Sequence, residues 1–309
     1  TYRYGLKHFI KKPWVPPSPE SGALKHERFV EAGRDIEEGL EMARLLEKAG
    51  YDALHVDGGC YESLHWAHPP MYMPHGCMVD LAEKVKKVVK IPVIAVGRLD
   101  LPELAETVLE EGKADIIALG RALLADPYWP KKVQYGKIED IRPCIGCHEG
   151  CINMTVNGRP LSCSVNPACG REVLYTLHPT KEPKKVLIAG GGVAGMEAAR
   201  VAATRGHKVT LCEKEEELGG HLIEASIPDF KRDIKRLLDW YRVQLRKLNV
   251  EIHLNTEVTP KFVKNEMPDV VIVATGSTPI VPDIPGVEKP IVTTCSDLLL
   301  GKRKAEGSI

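Results

Sequence analysis

The chain has 309 residues, enough for two ordinary domains, and is 43% hydrophobic and 27% charged, as globular proteins are. Lys plus Arg and Asp plus Glu number 42 each, so the formal net charge of zero gives no electrostatic reason to expect nucleic acid or an anionic membrane as partner. No run reaches the about 18 apolar residues of a membrane span, and nine cysteines without a visible secretory leader point to metal or redox chemistry in a reducing cytoplasm, not a disulfide scaffold.

The first strand is expected at Tyr2–Leu6. Residues 11–33 begin Pro-rich (KKPWVPPSPESG) and are expected to be an irregular excursion on the strand-end face. Over residues 34–50, Ile36, Leu40, Ala43 and Leu46 fall at helical spacing, and Gly50 is placed to end the helix. A strand at Ala53–Val56 follows, ending at Asp57-Gly58-Gly59. Leu81, Val85 and Val88 predict a second helix over 80–90, and Val93–Val96 a buried strand followed by Gly97-Arg98. Asp100 is placed to cap a third helix with Pro102 near its start and Gly112 at its end; Ile116–Leu119 is a fourth strand, followed by Gly120-Arg121. Strands alternating with helices imply a parallel sheet. A (β/α)8 barrel needs eight strands and roughly 250 residues, so four strands amount to half of one. Together with a first residue that is Thr1 and not Met, this leads us to expect an excerpt of a longer protein, or else a barrel whose other half a partner supplies.

Four cysteines then stand as C-x2-C-x3-C-x11-C: Cys144, Cys147, Cys151 and Cys163, within RPCIGCHEGCINMTVNGRPLSC. Four thiolates in one short loop region suit an iron–sulfur cluster; a structural zinc site uses the same donors. The other cysteines are expected to be packing residues, with Cys212 inert in an apolar strand.

From Lys184 a new pattern begins: KKVLIAGGGVAGMEAARVAATRGHKVTLCEK reads as strand, glycine turn, helix, strand. Gly190, Gly192 and Gly195 form G-x-G-x-x-G, and Glu213 ends the next strand. Glycines allow a tight turn and close approach of a pyrophosphate, the helix N-terminus favours its charge, and Glu213 can take ribose hydroxyls. The dinucleotide can be FAD or NAD on this motif alone. Arg98 and Arg121, with Gly97 and Gly120 before them, follow successive strands and suit a phosphate, or are ordinary surface arginines. Arg3 lies within a strand, where it can face a flavin edge or solvent. The segment 58–72 carries Tyr61, His65, Trp66, His68 and Tyr72, and can line a substrate pocket or pack on its own aromatics.

These motifs resemble, over nearly the whole chain, the old-yellow-enzyme-like iron–sulfur flavoenzymes that include 2,4-dienoyl-CoA reductase, 2-enoate reductase and trimethylamine dehydrogenase. RPCIGCHEGC with Cys163 downstream, IAVGR, ALGRALLADP and IAGGGVAGMEAA carry the resemblance; LGGHL (Leu218–Leu222) and VIVATGSTP (Val271–Pro279) favour FAD over NAD. The implied α/β fold is the C-terminal half of an FMN-binding (β/α)8 barrel over 1–142, a cluster segment and linker over 143–183, and part of a Rossmann-like FAD domain over 184–309. A second, NAD(P)H-binding glycine fingerprint does not appear in the chain. By motif, Arg3, Gly97, Arg98, Gly120 and Arg121 are implied at FMN. Cys144, Cys147, Cys151 and Cys163 are implied at a [4Fe–4S] cluster. Gly190, Gly192, Ala194, Gly195, Glu213, Gly220, His221 and Val258 are implied at FAD. Tyr61 stands where some dienoyl-CoA reductases place a histidine beside the substrate, and is the expected proton donor within this chain.

The implied activity is NAD(P)H-dependent reduction of an activated C=C bond in a small molecule. Hydride enters at FAD, single electrons cross the cluster, and FMN returns a hydride to the β-carbon while an acid protonates the α-carbon. Two other readings stand beside it: an amine dehydrogenase passing electrons the other way, and an inactive fragment that binds cluster and FAD only. The resemblance leaves assembly into homo-oligomers open.

Overall fold

The computed structural model describes residues 1–13 and 29–305. The chain forms two compact units: Thr1–Pro127 with Gly146–His148, and Tyr128–Ile145 with the chain from Glu149 onward.

In the first unit, strands β1 (Tyr2–Gly5), β4 (Leu54–Asp57), β5 (Val93–Ala95) and β6 (Ile116–Ile117) pair in that order, all parallel. Three helices, Ile36–Lys48, Val79–Lys86 and Pro102–Glu110, are the crossovers that parallel pairing requires. The four strands expected from sequence are therefore the four observed, an open arc of a barrel. Alternation decides which side chains enter the core. Leu54 and Val56 are fully buried against Leu40, Ala43, Val85 and Val93, while His55 and Asp57 turn to the opposite sheet face. Burying each such Leu or Val contributes about 1.5–3 kcal/mol. Gly39 is required by packing, since a Cβ there would overlap the Leu6 carbonyl.

Two local expectations change. Within the stretch read as irregular, β2 (Ile10–Pro13) and β3 (Phe29–Ala32) form an antiparallel ribbon; residues 14–28 lie outside the described residues. The third helix begins at Pro102, one residue later than a cap at Asp100 would place it. Leu101 is its N-cap residue, and Asp100 is buried with Oδ1 3.0 Å from His75 Nδ1. Gly50 and Gly112 both adopt left-handed φ just past the helices they were expected to end.

In the second unit, β7 (Lys185–Ala189), β8 (Lys208–Cys212), β9 (Glu251–His253) and β10 (Val270–Val273) form a parallel sheet in the order β10-β7-β8-β9. Central β7 and β8 read as apolar runs because both of their faces are covered. The Val193–Thr204 helix crosses from β7 to β8. The long Arg232–Lys247 helix buries Ile234, Leu237, Leu238, Trp240, Tyr241 and Leu245. Trp240 also anchors the stretch before the cysteine run, which Arg142 ties to the stretch after it. Its Nε1 donates to the Asp140 carbonyl at 3.0 Å, and the Arg142 guanidinium lies 4.5 Å from its ring and donates to Asn166 Oδ1 at 3.0 Å. Among the described residues no helix is long and apolar enough to cross a membrane.

Candidate functional site

At the C-terminal ends of β1, β4, β5 and β6 the first unit gathers cationic and imidazole side chains. The register sets Arg3 beside His55 and Gly5 beside Asp57, so these side chains share the face away from the core. Arg3 Nε donates to Asp57 Oδ2 at 2.7 Å. His55 Nε2 is buried and has no hydrogen-bond partner among the described residues, and burial, then Arg3, holds that imidazole below its ordinary range. After β5, Gly97 and Arg98 both take left-handed φ, +118° and +52°. This turn aims Arg98 Nη1 at the carbonyls of Pro70 (3.0 Å), Met71 (2.9 Å) and Met73, while Nη2 meets His75 Nε2 at 3.1 Å. After β6, Gly120 precedes Arg121, whose Nη1 lies 2.6 Å from His148 Nε2. Burial, then Arg121, then His68 bring His148 down to about 4, so it is neutral at ordinary pH. His68 is lowered by burial first, then by Arg121 and Arg3.

This rim fits the phosphate end of FMN in two respects. Its positive charge is concentrated at strand ends, and a Cβ on Gly120 would meet nothing within 4 Å, which leaves the backbone approachable. Tyr61 opens a short turn, Tyr61–Ser63, and is 94% exposed. On the same loop, Trp66 stacks on Phe9 of the segment after β1, with ring centroids 3.8 Å apart, so part of the loop packs on an aromatic from elsewhere in the unit. Sequence reasoning singled out the arginines but missed His55, Asp57, His75 and His148. Strand alternation with Arg3 could have found the first two. No local signal marks the others.

Cys144, Cys147, Cys151 and Cys163 are half-buried and outside any disulfide, Cys147 in the first unit and the others in the second. Among the described residues no three ligand-type side chains converge on one metal position. Within the second unit, Ser162 N–H donates to the Gly150 carbonyl at 2.7 Å, and Gly150 packs so closely on Cys163 that a Cβ would come within 2.8 Å of its Cα. This folds the Cys151 and Cys163 segments together. Burial, then Cys163, raises the Cys169 thiol to about 11. As a donor set, four thiols in an irregular loop suit iron–sulfur or zinc.

The glycine turn is built as its spacing predicts. A Cβ on Gly195 would overlap the Gly190 carbonyl, and one on Gly190 the Ala274 carbonyl, so both are glycines for packing. Gly192 differs: the nearest atom to its Cβ position is Gly220 Cα at 4.0 Å. It is also the N-cap residue of the Val193–Thr204 helix with no side-chain cap, and Ala194 stands exposed in the first turn. A helix N-terminus left open in this way fits a pyrophosphate. Glu213 is buried; its Oε2 accepts from Gly191 N–H at 2.6 Å and its Oε1 from Glu215 N–H at 3.0 Å. Gly192 and Gly219 form a bridge that brings Gly220 beside the turn. Exposed His221 bonds Glu224 Oε1 (2.6 Å) and the Ser277 carbonyl (3.1 Å). Val258 is half-buried in the loop after β9, next to Thr256, whose N–H donates to the Glu213 carbonyl at 2.8 Å.

Comparison with known proteins adds the following. Residues 18–140 match the NADH:flavin oxidoreductase / NADH oxidase family and residues 184–305 the pyridine nucleotide-disulphide oxidoreductase family. The chain is 48% identical to a cinnamate reductase of Clostridium sporogenes, over 97% of this chain and 44% of that protein. It is 44% identical to an NADH oxidase of Thermoanaerobacter brockii, over 95% and 46% respectively. A solved 2-naphthoyl-CoA reductase in complex with 2-naphthoyl-CoA superposes with a TM-score of 0.87 at 35% identity, over 98% of this chain and 43% of that one. The chain thus spans less than half the length of the relatives it matches.

Proposed function

The chain belongs to the old-yellow-enzyme-like flavoenzymes of the 2,4-dienoyl-CoA reductase type, and from that premise we propose that it is part of an NAD(P)H-dependent reductase of C=C bonds conjugated to a carbonyl. The observation that carries the reading is its alignment, along nearly its whole length, with a cinnamate reductase and with a reductase of an aromatic acyl thioester. Both are named for substrates in which unsaturation adjoins a carboxyl or thioester carbonyl.

When bound, flavins supply hydride chemistry and an iron–sulfur cluster supplies one-electron transfer between them. The residues of this chain do the holding and positioning. Arg98 and Arg121, supported by Gly97 and Gly120, hold the FMN phosphate, and Arg3, charge-balanced by Asp57, stands at the strand ends. Cys144, Cys147, Cys151 and Cys163 hold iron. Gly192, Ala194 and Gly195 receive the FAD pyrophosphate, with Glu213 keeping the turn in shape and Gly220, His221 and Val258 around it. Tyr61, an exposed phenol on the loop after β4, donates the proton to the substrate α-carbon. These roles divide the chain into 1–142, 143–183 and 184–309, in a cytoplasmic enzyme.

The test is made on the full-length protein that contains this chain, loaded anaerobically with FMN, FAD, iron and sulfide. NADH consumption stimulated by cinnamate or a similar enoate, with the saturated acid as product, is expected. Flavin reduction by a methylamine without any NADH-dependent enoate reduction overturns the reading.

A further inference from the structure

Two of the strand-end arginines, Arg3 and Arg121, are treated differently by the fold. Arg3 is bonded to a carboxylate, Asp57, which counters its charge. Arg121 is bonded to an imidazole, His148. A guanidinium has donors only, so His148 Nε2 is the acceptor and the ring is neutral at that contact. His148 also has a backbone hydrogen bond with Pro69. A neutral acceptor orients Arg121 without cancelling its charge.

The position of His148 is built. Its φ is +65°, a left-handed conformation that a non-glycine residue takes only when its surroundings impose it. Two residues earlier, Gly146 is also left-handed, its carbonyl accepts from Met71 N–H at 3.0 Å, and a Cβ there would meet Met71 N at 2.9 Å. The Gly146–His148 turn is thereby docked on the 69–73 segment, which Arg98 grips through three carbonyls. His148 also follows Cys147 directly in the chain, so the same turn sets an iron ligand and a phosphate ligand.

We propose that His148 is a positioning residue for the FMN phosphate, acting through Arg121: it aims the guanidinium at the phosphate and leaves its full charge available. This rests on the FMN site of the functional reading above. The test measures FMN dissociation constants, by quenching of flavin fluorescence, for the FMN-depleted full-length protein and its variants, with FAD content and far-UV circular dichroism as controls of folding. His148→Leu, which removes the acceptor, is expected to weaken FMN about tenfold, as loss of one hydrogen bond to a charged group does. His148→Gln carries an acceptor of similar reach and is expected to stay within about threefold of wild type. In an Arg121→Met background, His148→Leu is expected to add nothing, since its effect passes through Arg121. Wild-type affinity in His148→Leu overturns the proposal alone, as does equal loss in His148→Gln and His148→Leu, or an undiminished effect of His148→Leu without Arg121. Failure of the wild-type protein to bind FMN overturns the functional reading and this proposal with it.

Discussion

Glu213 and Gly191 are joined by a buried hydrogen bond, the glycine N–H donating to Glu213 Oε2 at 2.6 Å. The bond ties the end of β8 to the turn after β7, so the acidic residue of the dinucleotide motif also holds the glycine turn closed. Glu213→Ala leaves the Gly191 and Glu215 N–H groups without this acceptor. It is expected to cost about 1–3 kcal/mol for each donor left buried. Denaturant unfolding of the FAD-free protein measures it, and an unchanged midpoint would show that the bond does not matter to the turn.

Gly195 and Gly192 separate folding from binding. Gly195→Ala places a methyl group on the Gly190 carbonyl oxygen and forces the turn open, so the apoprotein is expected to lose roughly 1–3 kcal/mol or more. Gly192→Ala meets open space at an extended, negative φ. It is expected to melt like wild type while losing FAD. Thermal unfolding and bound-flavin absorbance on the two variants make the comparison.

The His221–Glu224 pair sets a pH dependence. The bond it donates to Glu224, then that to the Ser277 carbonyl, raises the imidazole above its ordinary 6.5. Burial pushes the Glu224 carboxyl up, but its bonds from His221, its own backbone and Ser296 together hold it below its ordinary 4.5. The imidazole's contribution is complete below 6.5 and fades as pH rises through its folded value. The carboxylate's contribution is complete above 4.5 and fades as pH falls through its folded value. The pairing is therefore fully present between about 4.5 and 6.5. NMR titration of the His221 ring is expected to give a midpoint above 6.5 that falls back in Glu224→Gln; equal midpoints in the two proteins would refute the pairing.

The cysteines divide by chemistry. Cys144→Ser, Cys147→Ser, Cys151→Ser and Cys163→Ser are each expected to lower the iron content of anaerobically reconstituted protein from about four per chain, with matching sulfide. Stoichiometric zinc in place of iron would overturn the assignment. Cys212 is buried, and burial, followed by Glu266 and Glu251, raises its thiol. Alkylation at neutral pH is therefore expected to spare Cys212 in the folded protein and reach it only on unfolding.

Tyr61→Phe keeps the ring and removes the acid. A lost general acid lowers turnover by about a hundredfold or more, with little change in flavin content. Wild-type turnover in this variant would transfer the proton to another group.

Much of this was legible in the sequence because the signals are local. Apolar spacing at 2 and 3.6 residues gave four strands and three helices of the first unit, with most ends within a residue or two of where they stand and the second helix ending four residues earlier, at Lys86. Gly50 and Gly112 marked helix ends because a left-handed φ suits glycine. The Gly190–Gly195 turn was readable because Gly195 answers to Gly190 in the same strand–turn–helix piece and Gly190 to a fixed sheet partner, Ala274. Asp100 misled because a carboxylate one residue before a helix reads as a cap, while its partner, His75, lies far off in sequence. The ribbon of β2 and β3 was hidden because its two strands are short and separated by a Pro-rich stretch.

By itself, then, the sequence determined the kinds of element, the glycine turn and the thiol spacing, all of which depend on a residue and its near neighbours. Tertiary structure alone decided what each arginine meets: Asp57 for Arg3, the Pro70–Met73 carbonyls and His75 for Arg98, His148 for Arg121. Those partners are separated along the chain and have no common period. They come together only because parallel strands bring their C-terminal ends, and the loops leaving them, to one edge of the sheet.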